Sequence, residues 1–282
     1  MLRIAASCHF SFPRRVVSAL VLLNTVAMLC LLQLASGQAP SRPKTAEAQA
    51  PVDQVSIEKA PISVLLITGG CCHDYDFQSK ALQLAAKEQG KAINWTVVNE
   101  GGKGTKATID FYKNPKWAEG FQVVIHNECF ADTDDPEYIR SITKPHFDGV
   151  NAVVIHCAMH TYRSAKIDDW REMLGVTSRH HEHQSRYPVT VSKSGHPIMQ
   201  GFPSDYVSAM DELYIIEKTW PATTVLATSK SEKTGDEQPV FWTNQYGKSR
   251  IFGTTYGHSK DTFSDPVFLR AVVQGIVWAA GK

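Results

Sequence analysis

Residues 62–68 read ISVLLIT and run straight into Gly69-Gly70. A continuous apolar run this short, closed by glycines, is the pattern of a strand buried on both faces of a parallel sheet. Residues 77–89 follow, with Leu82, Leu84, Ala85 and Ala86 set among Lys and Gln, and read as an amphipathic helix. Further short apolar runs at 95–98, 121–126 and 152–156 predict three more strands, and helical stretches at 136–142 and 167–174 separate or follow them. Such alternation makes right-handed crossovers and a doubly wound α/β sheet, mostly parallel with helices on both faces, the simplest topology. From Tyr187 the strands shorten (YPVTVS, ELYIIE, TVLATS, PVFWTN and SRIFGTTY), and Gly247-Lys248 suits a hairpin turn between the last two. An apolar helix over 267–280 closes the chain.

Outward from this domain, the first residues carry Arg14 and Arg15, an apolar run over 16–34 and then Ala35-Ser36-Gly37. This layout predicts a signal peptide cleaved after Gly37, hence export and no stable membrane span after cleavage. An uncleaved anchor is the competing expectation, since the run approaches spanning length. Residues 38–60, with Pro40, Pro43 and Pro51, read as a linker, and 61–282 as one domain. Cleavage removes Arg3, Arg14 and Arg15 and no acid, which takes the formal net charge from +1 to −2. Nothing basic is left to attract nucleic acid. Cys71, Cys72, Cys129 and Cys157 remain, and the adjacent Cys71 and Cys72 are not expected to bridge each other.

Ligands of open α/β sheets sit outside the carboxyl ends of the strands. His73 follows the first strand, with Asp74 beside it. His126 ends the third, with Glu128 two residues on. His156 ends the fourth, with His160 four residues later, and His258 follows the last. A histidine closing an apolar strand must find partners for its ring nitrogens, so four at one end of a sheet favour a site over a set of satisfied core histidines. For His146 and His196, each beside a proline, a core or surface role is expected. Imidazole and carboxylate suit zinc or a similar divalent ion, with His126, Glu128, His156 and His160 the expected ligands. Glu212, entering a strand within DELY, is a candidate acid or base, or an orienter for a histidine, and is as readily a charged strand edge. His180-His181-Glu182-His183 reads as a metal-binding tract or, as readily, as a solvated loop, from which His183 folds over the pocket as a lid.

ITGG with His73 after it, PHFDGVNAVVIHCAMH, GHPIMQGF, DELYIIE, VLATS, QYGKSRIFGTTYGH and GIVWAAGK, in that order over nearly all of 61–282, together resemble the ThuA-like (trehalose utilisation) family. The resemblance implies a flavodoxin-like sheet similar to class I glutamine amidotransferases. It also implies a role in carbohydrate metabolism, a small carbohydrate substrate, a partner sugar oxidoreductase that makes 3-keto sugars, and a divalent metal. It carries over His73, His156, Glu212 and His258, while His126 and Glu128 rest on placement alone.

The first functional expectation is therefore a metal-assisted hydrolase or lyase on a disaccharide or 3-keto-glycoside, with Glu212, His258, His73 and Asp74 as catalytic candidates. A non-catalytic sugar-binding module on an amidotransferase-like fold is the alternative. Cys157-dependent amidotransferase chemistry ranks lower, because IHCAM lacks the glycines of a nucleophile elbow. Plain glycosidase chemistry would need two of Asp74, Glu128 and Glu212 across the scissile bond.

Overall fold

The computed structural model describes residues 60–282. The expected signal peptide and linker lie outside the described residues. The strands are β1 (Ile62–Gly70), β2 (Ile93–Asn99), β3 (Val123–Cys129), β4 (Asn151–Ile155), β5 (Val176–Ser185), β6 (Val189–Val191), β7 (Asp211–Thr219), β8 (Thr223–Lys230), β9 (Glu237–Tyr246) and β10 (Ser249–Thr254). The helices are α1 (Tyr75–Glu88), α2 (Pro136–Asp148), α3 (Asp169–Leu174) and α4 (Pro266–Ala279). Eight strands form one sheet in the order β2-β1-β3-β4-β10-β9-β8-β6, parallel from β2 to β10 and antiparallel beyond. Among the described residues no helix is long and apolar enough to cross a membrane.

Period-two alternation divides each central strand between two cores. Val64 and Leu66 of β1 pack with Val123 and Ile125 of β3 under α1 and α4, while Leu65, Ile67, Val124 and Val154 pack under α2 and α3. Asp135 caps α2 and Asp265 caps α4, each followed by proline at the first helical position. Helix α2 runs on to Asp148, past the expected end at 142, and contains Pro145 in its last turns. Proline offers no N–H to the Ser141 carbonyl four residues back. The Trp117 indole N–H donates to that carbonyl instead, at 3.3 Å.

Two expectations are corrected. The segment with His180, His181, Glu182 and His183 is not a solvated loop but the middle of β5, and Glu182 is buried, accepting from Ser231 and from the Glu232 amide. Strand β7, which contains ELYIIE, leaves the main sheet and pairs antiparallel with β5 alone. That two-stranded sheet pairs Gln184 with Glu212 and His181 with Tyr214.

Candidate functional site

The order β2-β1-β3-β4 reverses direction at β1 and β3, so the loops after those strands part and open a crevice at their carboxyl ends. A cavity of about 230 Å³ lies there, lined by His73, Cys129, Cys157, His160, His181, Glu212, Tyr214 and His258 among others. A larger, mostly apolar groove of about 610 Å³ between Phe77, Leu84 and Leu269 holds no histidine or cysteine.

His156 closes β4 in the left-handed region, at φ 46°, which no glycine relieves. A non-glycine residue held there costs about 1–3 kcal/mol and points to a site the surrounding structure enforces. Its Nδ1–H donates to the Thr255 carbonyl at 2.6 Å, which leaves the Nε2 lone pair directed inward beside the Tyr214 hydroxyl at 3.3 Å. The His73 Nδ1–H likewise donates to the His258 carbonyl at 2.9 Å, and its buried Nε2 has no partner. Burial, aided by the neighbouring histidines, keeps both rings neutral: His73 falls to about 4 and His156 well below its ordinary range. Gly257, at φ 136°, lets the loop after β10 close on this ring, because a Cβ there would stand 2.8 Å from Ile155 Cγ2 and 3.0 Å from His156 Cβ.

Glu212 Oε2 is the hub of the site, 3.3 Å from His258 Nδ1 and 3.6 Å from both His156 Nε2 and His181 Nε2. The His258 contact is close without the alignment of a hydrogen bond. Interaction with Glu212 raises the His258 pKa against the effect of burial. Burial pushes the Glu212 carboxyl up, but His258 and His181 outweigh it and hold the group below its ordinary value. Gln184 meets His258 Nε2 at 2.8 Å. Beneath them Asp211 is fully buried and accepts from the Gly257 amide at 2.9 Å, the His258 amide at 3.3 Å and the Thr262 hydroxyl at 2.6 Å. Burial lifts its pKa to about 6.

One ring nitrogen each from His73, His156 and His258 lies within 4.8 Å of the others, a spacing that suits a divalent cation. Two rings also carry the outer-shell bond typical of ligating histidine, with the remote N–H on a backbone carbonyl. Of the expected ligand set, only His156 belongs to this group. His126 and Glu128 point from β3 into the core under α2, where His126 meets Glu128 Oε1 at 2.9 Å and His146 Nε2 at 3.0 Å. The His160 Nε2 is taken by the Ser178 hydroxyl at 3.1 Å, and its ring stacks on Tyr214 at 4.0 Å. Strand ends locate a residue along the sheet but leave the face undecided, which explains the misassignment. Asp74 caps α1, accepting from the Phe77 amide at 3.1 Å and pairing with Lys260 at 2.8 Å, outside the pocket. His181, not His183, faces the site, since His183 pairs with Glu232 at 2.9 Å.

Sequence reading did not find Gln184 and did not place His181 or Asp211 at the site, since their roles depend on the β5–β7 pairing. The cysteines also depart from expectation. Cys71 bridges Cys72, with Cα atoms 3.7 Å apart, and Cys129 bridges Cys157, with Cα atoms 5.2 Å apart. The left-handed φ of 85° at Cys72 breaks the alternation that would otherwise send neighbouring side chains apart. With its sulfur bonded to Cys129, Cys157 is not a free nucleophile.

The family described as ThuA, trehalose utilisation, matches residues 63–279. A ThuA-like protein of Parabacteroides merdae ATCC 43184 superposes with a TM-score of 0.63 at 23% identity, over 79% of this chain and 91% of that one. A ThuA-like protein of Bacteroides uniformis ATCC 8492 gives 0.60 at 16% identity, over 78% and 92%. At these identities the likeness shows the fold. A comparison with curated proteins finds no match.

Proposed function

This chain belongs to the ThuA family of trehalose utilisation proteins, and from that premise we propose that it is an exported hydrolase or lyase. Its substrate is a disaccharide oxidised to a 3-keto-glycoside by a partner oxidoreductase, and His73, His156 and His258 hold a divalent metal, zinc or similar. One observation carries the reading: His73 and His156 have their Nδ1–H groups pinned to carbonyls and their Nε2 lone pairs turned inward, with Glu212 Oε2 3.6 Å from one of them.

A cation bound there supplies Lewis acidity toward a sugar carbonyl or hydroxyl. The chain's own residues account for the proton transfers. A ketone acidifies the C–H beside it, so breaking the glycosidic C–O bond one carbon further on needs a single base rather than two carboxylates across the bond. Glu212, kept ionised by His258 and His181, takes that proton on Oε2. As the C–O bond breaks and a C=C bond forms, Glu212 returns the proton to the departing oxygen. Water addition then completes hydrolysis. Plain glycosidase chemistry is disfavoured because no second carboxylate is free: Asp211 is saturated by donors, Asp74 caps a helix and Glu128 is sealed in the core. The cavity of about 230 Å³ suits one sugar ring.

The test uses the full chain purified without chelator and supplied with a 3-keto-glycoside. Stoichiometric divalent metal and release of free sugar are expected. His156→Ala loses both, and Glu212→Gln keeps the metal while losing turnover. Metal-free protein that cleaves at the same rate, or Glu212→Gln at full activity, defeats the reading.

A further inference from the structure

Four of the six cysteines meet at the carboxyl ends of three neighbouring strands: Cys71 and Cys72 just past β1, Cys129 ending β3 and Cys157 just past β4. Their sulfurs are contiguous, with those of Cys71, Cys72 and Cys129 all within 4.8 Å of one another. Cys72 is exposed and bonded to the half-buried Cys71; Cys71 Sγ touches Cys129 Sγ at 3.6 Å; and Cys129, 3% exposed, is bonded to Cys157, 6% exposed. Neither sulfur in the 3.6 Å contact carries a hydrogen, so this is van der Waals contact between two disulfides. Thiol–disulfide exchange requires such an approach of the attacking sulfur.

We propose that these residues form a thiol–disulfide exchange site, in which an external dithiol reduces the exposed Cys71–Cys72 pair and the electrons pass on to the buried Cys129–Cys157 pair in the pocket wall. A thiolate of the dithiol attacks Cys72 Sγ, the bond to Cys71 breaks, and Cys71 leaves as thiolate. The second thiol of the reductant then releases Cys72, so the dithiol becomes a disulfide and gives up two electrons and two protons. Cys71 attacks Cys129 Sγ, forming Cys71–Cys129 and expelling Cys157, which takes up a proton. Cys72 attacks Cys71, restoring the outer disulfide and freeing Cys129 as the second thiol. The net change is one external disulfide formed and one buried disulfide reduced. The exposure gradient sets the direction, since a reductant reaches Cys72 and not the inner pair. The exchange is independent of the metal reading, as it uses no histidine.

Full-length protein treated with dithiothreitol, quenched in acid at intervals, alkylated and mapped by mass spectrometry tests it. In Cys72→Ser, a Cys71–Cys129 crosslink with alkylated Cys157 is expected, because the resolving thiol is gone. In Cys71→Ser/Cys72→Ser, reduction of the inner pair is expected to slow at least tenfold, with far-UV circular dichroism confirming the fold. Three results overturn the proposal: Cys71, Cys72, Cys129 and Cys157 all alkylated in untreated wild type, an intact Cys129–Cys157 bridge beside free Cys71 in Cys72→Ser, or equal inner-pair rates in wild type and double variant.

Discussion

Histidines gather in two places on this sheet, and their ring nitrogens meet opposite fates. In the core under α2, the His146 Nδ1–H donates to the Val150 carbonyl at 2.7 Å, so its Nε2 must accept from His126, whose other nitrogen meets Glu128 and the Tyr112 hydroxyl. That chain of bonds is sealed, and within it only Glu128 Oε2 lacks a partner. At the strand ends, His73 and His156 are pinned by the same kind of bond to a carbonyl, but the second nitrogen of His73 has no partner, and that of His156 lies 3.3 Å from the hydroxyl of Tyr214 and 3.6 Å from Glu212, both of which line the cavity. The same side chains thus make a sealed structural network under α2 and, at the strand ends, a site where the His73 Nε2 is left open. Burial alone does not separate the two, because His126 and His156 are both buried.

The contrast is sharpened most by exchanging the fates of its two carboxylates. Glu212→Gln should lower turnover on a keto-glycoside by about 10²–10⁴-fold, the worth of a positioned acid–base group, and leave the denaturation midpoint in place. Glu128→Leu should do the reverse, costing about 3 kcal/mol in urea unfolding by stranding His126, with activity per folded molecule retained. Lost activity in folded Glu128→Leu would place the core network in the mechanism.

Acid should weaken both clusters. Burial lowers His73 to about 4 and both His146 and His160 to about 3, and it lowers His156 as well. Between those values and the ordinary 6.5 the unfolded chain binds protons that the folded chain refuses, so stability is complete above 6.5 and falls as pH drops. Each such histidine contributes a slope of about 1.4 kcal/mol per pH unit. Asp211, raised to about 6, acts in the opposite sense below that value and offsets one of them. Unfolding midpoints measured at pH 7 and pH 5 check the sum, and equal midpoints would contradict it. The smallest effect is expected at Asp74, where Asp74→Ala should lower the unfolding midpoint slightly as a lost helix cap, with no change in turnover.

Much of the fold was legible because its signals are local. Each apolar run ending in glycine or histidine announced a strand, and the amphipathic stretch after it announced a helix. The site was legible only in part. His73, His156 and His258 could be placed at strand ends, yet nothing local distinguished them from His126, whose side chain alternates to the sealed face. His180 to His183 looked like a loop because charged and imidazole side chains mask a strand whose partner lies thirty residues away.

By itself, then, the sequence determined the alternation of elements, the doubly wound class, the family and which end of the sheet carries the histidines. The family follows from the resemblance of motifs spread in order over 61–282, and the rest from periods and turn residues within a few positions of one another. Only the tertiary structure decided which histidines share a cavity, that β5 and β7 swing Glu212, His181 and Gln184 onto it, and which cysteines meet. Those outcomes depend on strand register, on the side of the sheet a residue faces and on contacts between segments far apart in the chain.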